Sequence, residues 1–374
     1  MLTLPPISAL IANLLPLVGT ILAFLSIVTV HEFGHFIFCK IFNVKTPTFS
    51  IGVGPIIAKK TFSETEFRLS LLPLGGFVEI GGLAEPGQGE QALAQDTSDR
   101  SFVVKPYWQK MLILWGGIIF NVLFAFIIYT SLHATGMPKG TLTSINVTKV
   151  VDGGPAALAG LQPGDSIIGI NHKKFSSQEE SLTHADFSKI LQESADKTVH
   201  LSVLRDEKPH TINVCPKSES PEAPAKIQAE LSPNAEYTLA QGLDLTTSAR
   251  KAIDNIYEQV TGTLAMLKGL FTSKSLSGIG GPVMILSQLF KSAQVGIRLL
   301  LLFVCYVNIG LAVLNTLPLG ALDGGQIAFA TLEFIIRRPL SDSFKIGVNI
   351  VSLALFATLF LYLTFKDTLS LLGW

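Results

Sequence analysis

The sequence predicts an α-helical membrane protein with four transmembrane helices, a membrane-associated β-hairpin after the first of them, and an inserted β-rich domain. Three observations predict it. Charged residues make up only 15% of the 374 positions and the mean hydropathy is positive, whereas a soluble domain is usually about a quarter charged. The apolar residues gather at the two ends and around 111–133 instead of spreading along the chain, which is how membrane spans distribute. Between 142 and 217 the composition changes to short β-branched runs punctuated by Gly, Pro and Asp, the pattern of strands and tight turns. The formal net charge is zero, so nothing points to a nucleic-acid partner. Cys39, Cys215 and Cys305 are far apart and suggest neither a metal-binding spacing nor a disulfide framework.

The elements follow in order. Residues 1–42 read as the first transmembrane helix. A cleaved signal peptide is its rival, but no Lys or Arg precedes Lys40 and no small-residue cleavage site precedes His31. Residues 43–108 read as a cytoplasmic-side β-hairpin and loop, and 109–134 as the second span. Residues 142–217 form the β-rich domain. The Pro/Ser/Glu-rich stretch at 218–236 reads as a linker, and 218–294 as that linker plus an amphipathic helix. That helix is expected either on the outer membrane–water interface or against the β-rich domain. Residues 295–326 are the third span, 327–345 a cytoplasmic loop, and 346–374 the fourth span and C-terminus. Each span exceeds the roughly 20 residues needed to cross about 30 Å at about 1.5 Å per residue.

Positive charge in short loops sets the orientation. Residues 40–110, from the end of the first span to the start of the second, carry Lys40, Lys45, Lys59, Lys60, Arg68, Arg100, Lys105 and Lys110, and Arg337, Arg338 and Lys345 lie between the last two spans. Both loops are therefore expected in the cytoplasm, with the termini and the β-rich domain outside it.

The first span ends in VTVHEFGHFIFCK, residues 28–40. Ionisable side chains at that depth cost roughly 2.5–3.5 kcal/mol each, and something must offset the cost. Residues four apart share a helix face, so His31 and His35 can offer two imidazoles to one ion, with Glu32 beside it as a base. The plainer reading is a pair of interfacial histidines. Catalytic zinc takes three protein ligands and keeps one open position, and the carboxylate that stands out near the spans is Asp323, in NTLPLGALDGGQ. Pro318 stops or kinks the third span there, and Gly324 and Gly325 permit close backbone approach. From the residues alone, a ligand and a solvent-facing turn aspartate stand even. The predicted orientation puts HEFGH and Asp323 at similar depth on one side of the membrane.

HEFGH followed far downstream by Asn315-x-x-Pro318-x-x-x-x-Asp323-Gly324 resembles the site-2 protease family of intramembrane zinc metalloproteases, most closely its RseP-like branch. TFSIGVGPIIAKK with EFRLSLLPLGGFVEIGG resembles the membrane-associated hairpin of that branch, and FVVKPYWQKMLILWGGIIFNVLFA its second-span entry. AALAGLQPGDSII, residues 156–168, looks like part of a PDZ domain, and one such segment is present where some relatives carry two. The resemblance implies Zn2+ held by His31, His35 and Asp323, with Glu32 as general base. It implies substrates that are single-pass membrane proteins, either anti-sigma-factor-type regulators or signal-peptide remnants, and a setting in the bacterial cytoplasmic membrane. Asn121, Asn315, Pro318, Gly75 and Gly76 are the expected substrate-binding residues. For the two asparagines, helix packing is an equal alternative. The family often reads Gly-Pro before the second-span asparagine, where this chain has Gly116-Gly117. A peptide or substrate ectodomain is the expected ligand of the PDZ-like domain. The rival functions are a catalytically inactive membrane scaffold and a metal transporter; the chain shows no inverted repeat of the kind transporters use.

Overall fold

A computed structural model describes residues 7–83, 93, 95–175, 182–218, 225–273 and 280–371. In chain order the elements are α1 (Ile7–Ile41), β1 (Thr48–Phe62), β2 (Thr65–Val78), α2 (Tyr107–Thr135), β3 (Pro138–Val150), α3 (Pro155–Leu158), β4 (Ser166–Ile170), β5 (Lys173–Lys174) and α4 (His184–Glu193). They continue with β6 (Val199–Arg205), β7 (Lys208–Val214), β8 (Ala229–Leu239), α5 (Leu245–Ser273), α6 (Pro282–Val295), α7 (Ile297–Leu314), α8 (Asp323–Ile336) and α9 (Asp342–Leu371). The chain divides into two units, residues 137–241 and the remainder.

Among the described residues, four helices of the helical unit are long and apolar enough to cross a membrane, within α1, α2, α7 and α9. A helix satisfies every backbone amide within its own segment, which is why long apolar runs take this form. α1 and α2 pack through small residues. A Cβ at Gly34 would press on the Gly116 backbone, and one at Gly116 would lie 2.6 Å from the Gly34 carbonyl oxygen. Only glycine lets the two backbones come this close. α2 runs unbroken from Tyr107 to Thr135, so Gly116-Gly117 introduces no break.

β1 and β2 pair antiparallel, and each is long enough to fold on itself. Residues 49–51 pair with 67–69 on one side and with 76–78 on the other, while 56–62 pair with 65–70. The stretch 72–78 is therefore an edge. Phe36 of α1, next to His35, meets Phe49 and Phe67 edge-on, with centroids 5.5 and 5.7 Å away, which fixes this sheet beside the histidine pair.

Two connecting regions differ from expectation. Residues 327–336 fall within the expected cytoplasmic loop, yet they continue α8 from Asp323. Pro318, Gly324 and Gly325 disguise the helix start as a turn. α5 packs along α2 and α7: Tyr129 Oη donates to Gln259 Oε1 at 3.0 Å, and Gln259 Nε2 donates to the Tyr306 carbonyl at 2.6 Å.

The β-rich unit is a sheet in the order β7-β6-β4-β3-β8, with β5 on β4. Its core gathers Ile145, Ile167, Phe175, Phe187, Leu201 and Val203. Val199, Leu201 and Val203 alternate with less buried neighbours along β6, as a sheet with one covered face requires. The expected linker at 218–236 is corrected here, because Ala229–Leu239 is β8 and pairs along β3 from Pro138 to Val150. Its prolines and acidic residues mask a strand signal, and Pro233 is tolerated because β8 lies at the sheet edge. Residues 219–224 of that stretch lie outside the described residues. Asp165, nearly fully buried, binds Arg205 through both oxygens at 2.7 and 2.8 Å and ties the turn before β4 to the end of β6.

Candidate metal centre

His31 and His35 lie one turn apart on α1, both buried. Asp323 is the first residue of α8, reached through the loop that follows α7. That loop is drawn in tightly: the Gly324 amide donates to the Asn315 carbonyl at 2.8 Å, and a Cβ at Gly324 would stand 2.6 Å from the Thr316 carbonyl. The fold thereby brings residues almost 300 positions apart to one point. His31 Nε2 and His35 Nε2 are 3.3 Å apart, and they lie 3.3 and 3.5 Å from Asp323 Oδ2.

These spacings fit a metal. Zinc binds imidazole nitrogen and carboxylate oxygen at about 2.0–2.2 Å, and tetrahedral angles then place the donors about 3.3–3.6 Å from one another. Asp323 Oδ2 is buried without an aligned hydrogen-bond partner, so the oxygen facing both imidazoles is the one still needing something to bind. His35 Nδ1 lies 2.8 Å from the Ile113 carbonyl oxygen. A carbonyl can only accept, so Nδ1 carries the proton and Nε2 presents its lone pair to the triad.

Glu32 is half-buried beside the two histidines, and its carboxylate accepts the backbone N–H of Val78 at the end of β2. A Cβ at Gly76 would lie 3.5 Å from Glu32 Cγ and 2.7 Å from the Ser50 carbonyl. Gly76 thus allows the edge stretch of β2 to lie directly against the catalytic-type glutamate, and Gly75 takes φ +139°, a backbone that favours glycine.

The other expected residues separate. Asn121 is fully buried, with Nδ2 3.3 Å from His31 Nδ1. Asn315 caps the end of α7 and holds Nδ2 3.3 Å from His31 Nε2. Pro318 is exposed in the loop between Asn315 and Asp323. Two contributors escape a reading of the sequence. One is the Ile113 carbonyl, which carries no side-chain signal. The other is Gly117, where a Cβ would clash with His35 Nε2 and lie 2.6 Å from His31 Nδ1. Its only signal is a glycine pair inside a run of large apolar residues.

A sequence model described as Peptidase family M50 matches residues 19–359. A protein of Helicobacter pylori named "Putative zinc metalloprotease" is 32% identical over 357 residues, covering 92% of this chain and 97% of its own. A protein of the same description from Clostridium perfringens is 30% identical over 94% of this chain and 98% of its own. A chloroplastic "Probable membrane metalloprotease" of Arabidopsis thaliana is 30% identical over 92% of this chain and 78% of its own. Among solved structures, the PDZ domain of an SdrC-like protein from Listeria monocytogenes aligns with 25% of this chain and 92% of its own, at 22% identity and a TM-score of 0.21.

Proposed function

The chain belongs to peptidase family M50, and we propose that it is an intramembrane zinc metalloprotease that hydrolyses peptide bonds within the membrane segments of single-pass proteins. The observation that carries the reading is the convergence of His31 Nε2, His35 Nε2 and Asp323 Oδ2 at tetrahedral spacing, with both histidines on a helix apolar enough to span a bilayer. These three side chains hold the zinc. Bound there, zinc polarises the scissile carbonyl and lowers the pKa of a bound water toward about 7.

The remaining work falls to the chain's own groups. Glu32 takes the proton of the attacking water at its carboxylate and returns it to the leaving amine nitrogen. The Val78 amide holds that carboxylate in place. A helical substrate shields its amides, so it must unwind, and each unsatisfied amide in hydrocarbon costs several kcal/mol. Among the described residues the edge stretch 72–77 pairs with no strand on its outer side, and the substrate adds to it there as a further strand. Gly76 keeps that edge close to Glu32, and Gly75 supplies the positive-φ backbone beside it. Asn315, whose amide nitrogen reaches the donor triad, donates to the substrate backbone. Pro318 shapes the loop that carries Asp323.

The loop charges orient the protein with the metal centre toward the cytoplasmic side of a bacterial cytoplasmic membrane, and the lipid bilayer is its immediate partner. Residues 137–241 then lie outside the cytoplasm as a PDZ-like unit that binds a peptide or the substrate's ectodomain. The natural substrates are anti-sigma-factor-type regulators or signal-peptide remnants.

Co-expression with tagged single-pass substrates tests the proposal. Glu32→Gln is expected to retain zinc and lose cleavage. Cleavage at the wild-type rate by that variant would refute the assigned chemistry, and cleavage of no membrane-helix substrate by wild type would leave the scaffold reading standing.

A further inference from the structure

His35 and His31 meet the same demand: each must give up an Nε2 lone pair, so each must carry its proton on Nδ1. For His35 the Ile113 carbonyl enforces this. The corresponding neighbour of His31 is the Asn121 amide, with Nδ2 3.3 Å from His31 Nδ1. In that orientation the amide would donate to Nδ1 and drive the proton to Nε2, where it faces Asp323 and His35. Asn121 Oδ1, meanwhile, is buried with no hydrogen-bond partner. Half a turn of the amide gives that oxygen a donor in the His31 Nδ1–H and frees His31 Nε2 of the proton, since the two terminal atoms of an asparagine exchange places with almost no change in shape.

We propose that the Asn121 side-chain oxygen accepts the Nδ1–H of His31 and holds that imidazole in the tautomer that presents Nε2 to the metal. The inference rests on the metal centre proposed above. Ile113, Gly117 and Asn121 form one stripe of α2 at four-residue spacing, facing the antiparallel His35–His31 stripe of α1. Ile113 orients one ring, Gly117 leaves space for both, and Asn121 orients the other. Asn121 is thus a positioning residue. Its amide serves the imidazole, where the sequence pointed toward the substrate or toward helix packing.

The test is zinc retention by the purified full chain in detergent micelles against graded chelator, with no substrate present. Asn121→Leu keeps the volume and removes the acceptor; it is expected to lose zinc affinity by about 10–100-fold, the usual effect of deleting a partner of a metal-bound histidine. Asn121→Asp keeps an acceptor and removes the donor, and it is expected to hold zinc at least as tightly as wild type. Asn121→Ala is expected to behave as Asn121→Leu, and it decides the matter if the leucine variant does not fold. Zinc retention by both acceptor-free variants, or loss by Asn121→Asp to their level, would overturn the assignment while leaving the metal centre intact. A folded wild-type chain that binds no zinc would refute the centre itself, and this proposal with it.

Discussion

Adding one methyl group at Gly117 tests how the two histidines are accommodated. Gly117 lies on α2 opposite the HEFGH turn, and a Cβ there would stand 2.5 Å from His31 Cε1 and 2.6 Å from His31 Nδ1, and closer still to His35 Nε2. Carbon atoms in contact settle at about 3.5–4.0 Å, so Gly117→Ala requires roughly 1 Å of separation between α2 and the rings. Metal–ligand distances tolerate only about 0.2 Å. The donors are 3.3–3.5 Å apart and cannot keep that spacing through such a shift. Overpacking of this kind costs about 1–3 kcal/mol, against which alanine's better helix propensity returns about 1 kcal/mol. The fold should therefore survive while zinc affinity falls at least tenfold. Gly347→Ala in α9 is the control, because nothing lies within 4 Å of its added methyl. Metal analysis of both variants after purification, with thermal unfolding as the folding check, measures the effect. A Gly117→Ala protein with full zinc content and wild-type affinity would refute the close-approach argument.

Two further outcomes are expected. Gly76→Val places its Cβ 2.7 Å from the Ser50 carbonyl and displaces the edge of β2, so it should lose most substrate cleavage while retaining zinc, as read by a cleavage assay beside metal analysis. In the β-rich unit, burial raises the Asp165 pKa but the Arg205 guanidinium and the Gln162 amide outweigh it, so the net direction is down. A carboxyl lowered on folding stabilises above its unfolded value near 4, and that stability is lost as pH falls through the folded value. The protection of the β4 and β6 amides against hydrogen exchange, taken relative to the intrinsic rate at each pH, should therefore fall below about pH 4. Arg205→Met should bring the same loss of protection at neutral pH, because it leaves the buried Asp165 carboxylate without its cationic partner.

What the sequence revealed divides along physical lines. HEFGH is legible because helix geometry alone places residues 31 and 35 on one face. The four apolar helices are legible because length and hydropathy suffice. Asp323 is legible as a candidate, but its place at the start of α8 is not, since the glycines that permit its tight approach to Thr316 are the same residues that signal a turn. The roles of Ile113 and Gly117 depend on which stripe of α2 faces α1, and an almost wholly apolar helix has no periodicity to show it. β8 is hidden because an edge strand accepts Pro233 and charged residues that would be excluded from the middle of a sheet. α5 turns inward through Asn255 and Gln259, polar residues that a hydropathy pattern assigns to solvent, and they instead bind His133, Tyr129 and the Tyr306 carbonyl.

X-ray absorption at the zinc edge of the purified, zinc-loaded protein examines the three donor atoms themselves. Two imidazole nitrogens, a carboxylate oxygen and a water oxygen at about 2.0–2.2 Å are expected, with the carboxylate contribution lost and affinity collapsing in Asp323→Ala. Sulfur in the coordination sphere, or an Asp323→Ala spectrum identical to wild type, would contradict the account.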